Sequence, residues 1–290
     1  MSTDAATEAF TTHRPLLFSI AYNLLGSVAD TEDVLQETWL AWQNRTDDTG
    51  LREIENQRGY LVRIAVNKAM NLRATVQRRK ETYPGTWLPE PVIAGPDAVD
   101  TEAVSMAMLV VLETLSPLER AVFVLHEVFG YPHAEIGQIL DRSAAAVRQL
   151  SHRARGHVRE RRPRFRVAAH RQRDVTERFM RASASGDIAT LVELLAPDVT
   201  FHADGAGRIP RAPRRPVQGR DKVARIFTGP ATRPQAGVRV RFVPVNGEPS
   251  VVLSTDAGPF AVLTVAIDDA GLVSDIFAVA NPDKLTRLDL

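Results

Sequence analysis

The sequence predicts a multi-domain chain in which two all-α blocks are followed by a smaller α+β domain. Three observations lead there. Apolar residues recur at helical spacing up to about Lys80 and again from Glu102 to about Arg166. Between these blocks, Pro84, Pro89, Pro91 and Pro96 with Gly85 and Gly95 forbid a long helix and mark a linker. From Asp174 onward, short helical stretches give way to segments rich in β-branched residues separated by turn signals. A chain of 290 residues that is 44% apolar has material for two or three cores, since domains average roughly 100–150 residues. The expected divisions are 5–80, a linker over 81–101, 102–166, and 174–290.

Each element has a local reason. Leu16, Leu17, Ile20 and Leu24 form an inward stripe on a helix over Phe10–Leu25 that stops at Gly26. Asp30 is expected to cap the next helix, whose inner face carries Leu35, Trp39 and Trp42, with a polar loop over Thr46–Gly50 after it. Tyr60–Lys80 reads as a third long helix, increasingly basic toward its end. Ser116-Pro117-Leu118-Glu119 is a complete helix start, with an N-cap serine, proline in the first turn and glutamate placed to close a capping box. In the last block, Asp174–Ala184 and Ile188–Leu195 read as helices. Val238–Val245, Val251–Ser254, Phe260–Ile267 and Leu272–Val279 read as antiparallel strands, with Asn246-Gly247 and Asp268–Gly271 as turns.

Composition narrows the function classes. The chain has no cysteine, which removes disulfide frameworks and thiolate metal sites and suits a reducing cytoplasm. No apolar run approaches the ~18 residues that a membrane helix needs, and no His cluster has metal-ligand spacing. Neither a cofactor nor a membrane is therefore expected. The net charge of +1 hides an asymmetry. Acidic residues gather early (Asp30, Glu32, Asp33, Glu37) and arginines gather between Arg142 and Arg181, as expected if different segments meet different partners.

The stretch Gly130–Glu160 carries the sharpest signal. Ile136 and Leu140 give a short helix an inner face, Asp141-Arg142-Ser143 makes a turn, and Val147, Leu150, Ala154 and Val158 form the buried stripe of a second helix. Its opposite face presents Ala145, Arg148, Gln149 and His152. A helix apolar on one side and cationic on the other, preceded by a supporting helix, is a helix-turn-helix suited to the major groove. Arg148 and Gln149 suit guanine and adenine edges. Arg142 and Arg155, with Arg153 and Arg159, suit phosphates, and Ser143 lies at the start of the reading helix. The competing reading is a solvated, Arg-rich surface helix.

Leu115–Arg120, Gly130-Tyr131, Glu135-Ile136-Gly137, Leu140, Ser143, Val147-Arg148 and Arg153-Ala154-Arg155 together resemble region 4 of extracytoplasmic-function sigma factors. That resemblance implies reading of the −35 promoter element. Gly137 replaces the usual Ala, and Asp141 a common Gly. Ala29–Leu40 resembles sigma region 2.2, which implies that Asp33, Gln36, Glu37 and Leu40 dock on the clamp helices of the polymerase β′ subunit. Gly59–Ala69 resembles regions 2.3 and 2.4. That resemblance implies −10 recognition by Arg63, Asn67, Lys68 and Asn71, with Asp47–Gln57 as the rim of a base pocket and Tyr60 either stacking or in the core.

The last block resembles the cone-shaped SnoaL-like domain carried by the SigJ-type subgroup of these factors. The linker motif Trp87-Leu88-Pro89-Glu90-Pro91 resembles the subgroup's signature. So do the loop Asp204-Gly205-Ala206-Gly207-Arg208 and the terminal Asn281-Pro282-Asp283-Lys284-Leu285. Trp87, Leu88 and Pro89 are expected to meet Asp204, Gly205, Gly207, Arg208, Asn281, Pro282 and Asp283, so that the domain regulates the sigma core in cis and no separate anti-sigma factor is required. A small ligand inside the cone stays open as a possibility, and His202 with Asp204 is the one close pair with acid–base character, more simply read as loop structure. The implied partners are RNA polymerase core and promoter DNA. Two other readings compete. A one-component regulator with a ligand-sensing domain leaves the motifs at Asp30–Leu40 and Tyr60–Asn71 idle, and an enzyme with a DNA-binding appendage lacks a catalytic constellation.

Overall fold

Residues 2–49, 54–93, 104–161, 168–210, 212–229 and 237–288 are described by a computed structural model. The chain forms two compact units. One comprises Met1–Glu81, Gly95–Val104 and Val111–Arg161, and the other Thr82–Ala94, Ser105–Val110 and Arg162–Leu290. Gly50, Pro96, the residues between 50 and 53 of the expected pocket rim, and the chain from 162 to 167 lie outside the described residues.

The helical unit begins with α1 (Ser2–Leu25), α2 (Val28–Thr49) and α3 (Gln57–Glu81). α1 starts well before the expected Phe10 because its first turns cover α2: Ala6 is buried, and its carbonyl accepts the indole N–H of fully buried Trp42 at 2.9 Å. Asp30 is not the cap of α2. The helix begins two residues earlier, and Ser27 Oγ accepts the Asp30 N–H at 3.3 Å. The Asp30 carboxylate instead meets Arg79 of α3 at 2.6 Å. The expected loop at Thr46 is helical through Thr49.

α4 (Met106–Leu112) and α5 (Pro117–Phe123) follow, then a π-helical turn (Val124–Val128), α6 (His133–Leu140) and α7 (Ala144–Arg161). The Ser116–Glu119 capping box forms in both directions. Arg120 then projects from α5, wholly buried, onto the end of α1. That end leaves carbonyls unsatisfied. Arg120 Nε donates to Asn23 O at 2.8 Å, an Arg73 guanidinium N–H to Leu24 O, and Lys80 Nζ to Leu25 O at 3.5 Å. Glu113 is the carboxylate that pairs with all three, with Lys80 at 2.6 Å, Arg73 at 3.9 Å and Arg120 in direct contact. Burial alone would raise the Glu113 carboxyl, but Arg120, Lys80 and Arg73 overcome it and hold it at about 2. Burial, with Arg120 and Arg73 opposing Glu113, brings the Lys80 ammonium down to about 7.

The sheet unit contains α8 (Ala169–Ser185), α9 (Ile188–Leu194), β1 (Leu195–Asp204), β2 (Val217–Gln218), α10 (Arg220–Phe227), β3 (Arg239–Val245), β4 (Glu248–Thr255), β5 (Gly258–Ile267) and β6 (Val273–Val279). The strand order is β2-β1-β6-β5-β4-β3. Most neighbours are antiparallel as expected, but β1 and β6 run parallel, which the long excursion through α10 and β2–β5 permits. One sheet face packs on the helices through Phe179, Phe201 and Phe227, whose rings meet edge to face. The other packs Val245, Val252, Val262 and Phe277 against Leu88, Met106, Leu285 and Leu288.

The Glu113 cluster yields an asymmetric expectation. Glu113→Ala strands buried cations and should cost about 3–5 kcal/mol. Lys80→Met removes a cation whose burial outweighs its attraction and should change stability by less than about 1 kcal/mol. Urea unfolding of the two variants separates these outcomes, and equal losses would contradict the assignment.

Candidate functional site

The helix-turn-helix is built as its pattern requires. Val147, Leu150, Ala154 and Val158 are buried, as are Ile136 and Leu140. Ala145, Arg148, Gln149, His152 and Arg155 are exposed along α7, with Arg142 and Ser143 exposed in the turn. Ser143 Oγ caps α7 by accepting the Ala146 N–H at 3.2 Å. Asp141 takes the left-handed conformation at φ 54°, and the Arg142 amide donates to Gly137 O at 2.9 Å. A Cβ at 137 would lie 2.6 Å from the Arg142 carbonyl oxygen, so the turn closes directly over Gly137. Arg155 is drawn aside, to Glu127 at 3.1 Å and to Ser151. Arg153 leans toward Glu119.

In the first three helices, Asp33, Gln36, Glu37 and Leu40 share the exposed face of α2, and Leu40 is 51% exposed. Leu35 and Trp42 face inward, and Trp39 is half-buried against Phe10. Arg63, Asn67 and Asn71 form an exposed i, i+4, i+8 stripe on α3. Lys68 is turned from that stripe and pairs with Glu37 at 2.9 Å. The two residues were assigned to different partners, yet they hold each other. The pair is exposed, so separating it costs little. Tyr60 is half-buried, its ring beside that of Trp42.

The linker and C-terminal motifs meet at Asp204. Tethered at the end of β1, this carboxylate is wholly buried. It accepts the Tyr83 hydroxyl at 2.5 Å, the Leu88 N–H at 2.9 Å, the Lys284 ammonium at 2.7 Å and the Ala206 N–H at 3.3 Å. Burial first, then Asp204, pushes the Tyr83 phenol above its usual range. Lys284 also donates to Leu88 O and sits 4.2 Å from the Trp87 ring centroid, a cation–π distance. Asn281 Nδ2 donates to Tyr83 Oη at 2.8 Å, and Arg208 pairs with Asp283 at 2.9 Å, with Pro282 exposed beside it. Gly205 is buried, and a Cβ there would meet Ile209 at 2.9 Å. Gly207, at φ 68°, lies against Pro84. Ala206 takes the left-handed φ of 51°, a strained position for a side chain. Pro89 is buried with Leu88.

His202 and Asp204 do not form a pair. Phe201 and Ala203 point into the helix-covered core, and Asp204 lies on the opposite, linker-covered face. His202 stacks on Phe277 and pairs with Asp275 at 3.4 Å.

Comparison with known proteins decides the family. Residues 9–79 match Sigma-70 region 2, residues 105–158 match Sigma-70 region 4, and residues 176–271 match the SnoaL-like domain. The ECF RNA polymerase sigma factor SigJ of Mycobacterium tuberculosis is 39% identical over 94% of this chain and 91% of its own length. The chain belongs to the extracytoplasmic-function sigma factors. The probable sigma factor SigI of the same organism is 30% identical over 98% of the chain and 96% of its own. The crystal structure of the M. tuberculosis SigJ superposes with a TM-score of 0.76, at 36% identity, covering 97% of this chain and 98% of that one. The sigma factor thus directs RNA polymerase core to promoters, and the region 2 match displaces the reading as a one-component regulator. Among the described residues, no helix is long and apolar enough to cross a membrane.

Sequence reasoning missed Tyr83 and passed over Lys284 inside a motif it had singled out. Lys284 is one of only four lysines in the sequence and sits inside the Asn281–Leu285 motif, which was its available signal, and nothing local marked Tyr83. Lys284→Met leaves Asp204 buried without its counter-charge and should cost the sheet unit about 3–5 kcal/mol. Amide exchange at Leu88 and Val92 is the readout, and unchanged protection there would count against a stabilising role for the Asp204–Lys284 pair.

Proposed function

We propose that the C-terminal domain of this sigma factor modulates its promoter activity in cis by clasping the linker. The observation that carries the reading is Asp204, whose ligands come from the linker (Tyr83, Leu88) and from the C-terminal tail (Lys284). An undocked linker would leave that charge without the Tyr83 and Leu88 donors, two of the four it accepts from. Asn246 adds a second attachment: its side chain accepts the Val92 N–H at 3.1 Å, and its own N–H donates to Val92 O at 2.8 Å. A domain tethered on the same chain acts at high effective concentration, so a separate anti-sigma factor is not required. Asp204 has its lone pairs engaged in this clasp, which supports a domain that is structural and not catalytic.

For the sigma core, α7 takes the −35 duplex. Arg148 and Gln149 read base edges with Ala145 and His152 beside them, and Arg142, Ser143 and Arg155 hold the backbone. The α3 stripe of Arg63, Asn67 and Asn71 takes the −10 strand, joined by Lys68 once released from Glu37. The exposed face of α2 docks on the β′ clamp helices, with Leu40 as its apolar anchor. These tasks place the protein with polymerase and chromosome in the cytoplasm.

The test is promoter-dependent transcription by purified core polymerase. Truncation near Arg173 would uncover Leu88 and Met106 along with removing the domain, so full-length point variants are cleaner. Arg148→Ala should lose about 1–3 kcal/mol of −35 discrimination with core binding intact. Lys284→Met should change transcript yield or promoter choice with −35 affinity in duplex unchanged. A Lys284→Met profile matching wild type would overturn control in cis.

A further inference from the structure

The chain passes between its two units inside a single helix. Ser105–Val110 belong with the sheet and Val111 onward with the helices, yet α4 runs unbroken over Met106–Leu112. The Sigma-70 region 4 match begins at residue 105, so the first turn of region 4 is built on the C-terminal domain.

A helix this short does not hold itself in water, and its first amides need outside acceptors. Ser105 Oγ accepts the Met108 N–H at 3.1 Å. The Met106 N–H goes to Glu248 Oε2 on β4, at 3.2 Å and 142 residues away in sequence. Met106 and Ala107 are buried among Val245, Val252 and Val262 of the sheet. Glu248 is held in turn by the Gln172 amide of α8, which also donates to Val265 O at 2.8 Å.

We propose that Glu248 is a positioning residue for region 4: it fixes the point at which α4 begins and thereby couples the C-terminal domain to −35 recognition. The proposal rests on control in cis and names a second route for it, separate from the linker clasp. A carboxylate is the favoured acceptor at a helix start. Burial pushes the Glu248 carboxyl up to about 7, against the Gln172 and Met106 hydrogen bonds. Both of those partners are uncharged. The flanking α8 cations are engaged elsewhere, Arg171 with the Ala270 carbonyl and Arg173 with Glu177. The held carboxyl binds its proton more tightly than a released one, whose ordinary value is 4.5. Release therefore becomes easier as pH rises from that value toward 7 and levels off above it, about tenfold between pH 6 and 8.

Hydrogen exchange on the full chain, corrected for the intrinsic rate, tests this. Opening of the Met106–Leu109 amides should rise about tenfold from pH 6 to 8 in wild type and stay flat in Glu248→Gln, which keeps an acceptor but cannot titrate. Glu248→Ala should exchange there at least about tenfold faster at pH 6, with Leu88 and Val92 protection unchanged. On promoters of varied −35 to −10 spacing, Glu248→Ala should shift the preferred spacing and Glu248→Gln should restore it. Unaltered exchange in Glu248→Ala, or a wild-type pH slope in Glu248→Gln, overturns the positioning role. A transcription effect of Lys284→Met with none from Glu248→Ala overturns the coupling and leaves the linker clasp standing. No effect from either variant overturns both.

Discussion

A carboxylate removed from water must be neutralised where it lies, because an unpaired buried charge costs more than one hydrogen bond returns. Asp204 imposes that constraint on the sheet unit. Its position is set by the pleat: Phe201 and Ala203 face the helices, so Asp204 faces the other way. There the supply of partners comes from segments remote in sequence, Tyr83, Leu88 and Lys284. The linker, the end of β1 and the C-terminal tail therefore share one satisfied state. Apolar contacts around Leu88 and Leu285 add burial, but they are non-directional and tolerate sliding. The charge and its donors fix the register.

The helical unit uses the same physics with the signs reversed. Three cations converge on the carbonyl end of α1, and the Glu113 carboxylate pairs with each of them. Arg120 and Glu113 come from the region 4 match, Arg73 from the region 2 match and Lys80 from the residue just after it. The two sigma regions are thus joined by a polar seam. Such a seam is weak evidence for stability but specific in geometry. Once parted, its groups are welcome in water, whereas a parted apolar seam would be an adhesive patch. On the proposal that the two regions read separate promoter elements, the polar kind serves them better.

What was legible in the sequence was local. The Ser116–Glu119 box, the Val147–Val158 stripe and the Asn246-Gly247 turn each lie within one or a few helical turns or a hairpin, and periodicity reports them directly. The exposed faces of α2 and α7 follow from their inward stripes by exclusion, whereas that of α3 came with the family resemblance. What was hidden depends on pairing across long separations. Nothing near Ala6 says that its carbonyl will accept a Trp42 indole, so the start of α1 was placed late. Asp30 looked like a cap because its type suits one, and Ser27 held the position. The parallel pairing of β1 with β6 and the Lys68–Glu37 pair have no local signature either. Family resemblance brought the Asp204 loop and the tail motif into view, but it did not say which atoms meet.

The linker shows why composition misleads about boundaries. A run of prolines reads as a solvated spacer because proline ends helices and donates no hydrogen bond. Those same properties suit it to burial. Pro89 and Pro91 are buried without any amide to satisfy, and their fixed φ leaves less backbone freedom to lose on docking. Between and beside them, the Leu88 and Val92 amides do need acceptors, and each finds a side chain, Asp204 and Asn246 respectively. The missing donors thus reduce the polar cost of docking to a few amides, two of which the sheet unit meets with dedicated side chains. A segment that cannot join a helix or the middle of a sheet can still be gripped by one face of a sheet, and that grip makes it part of the domain that follows.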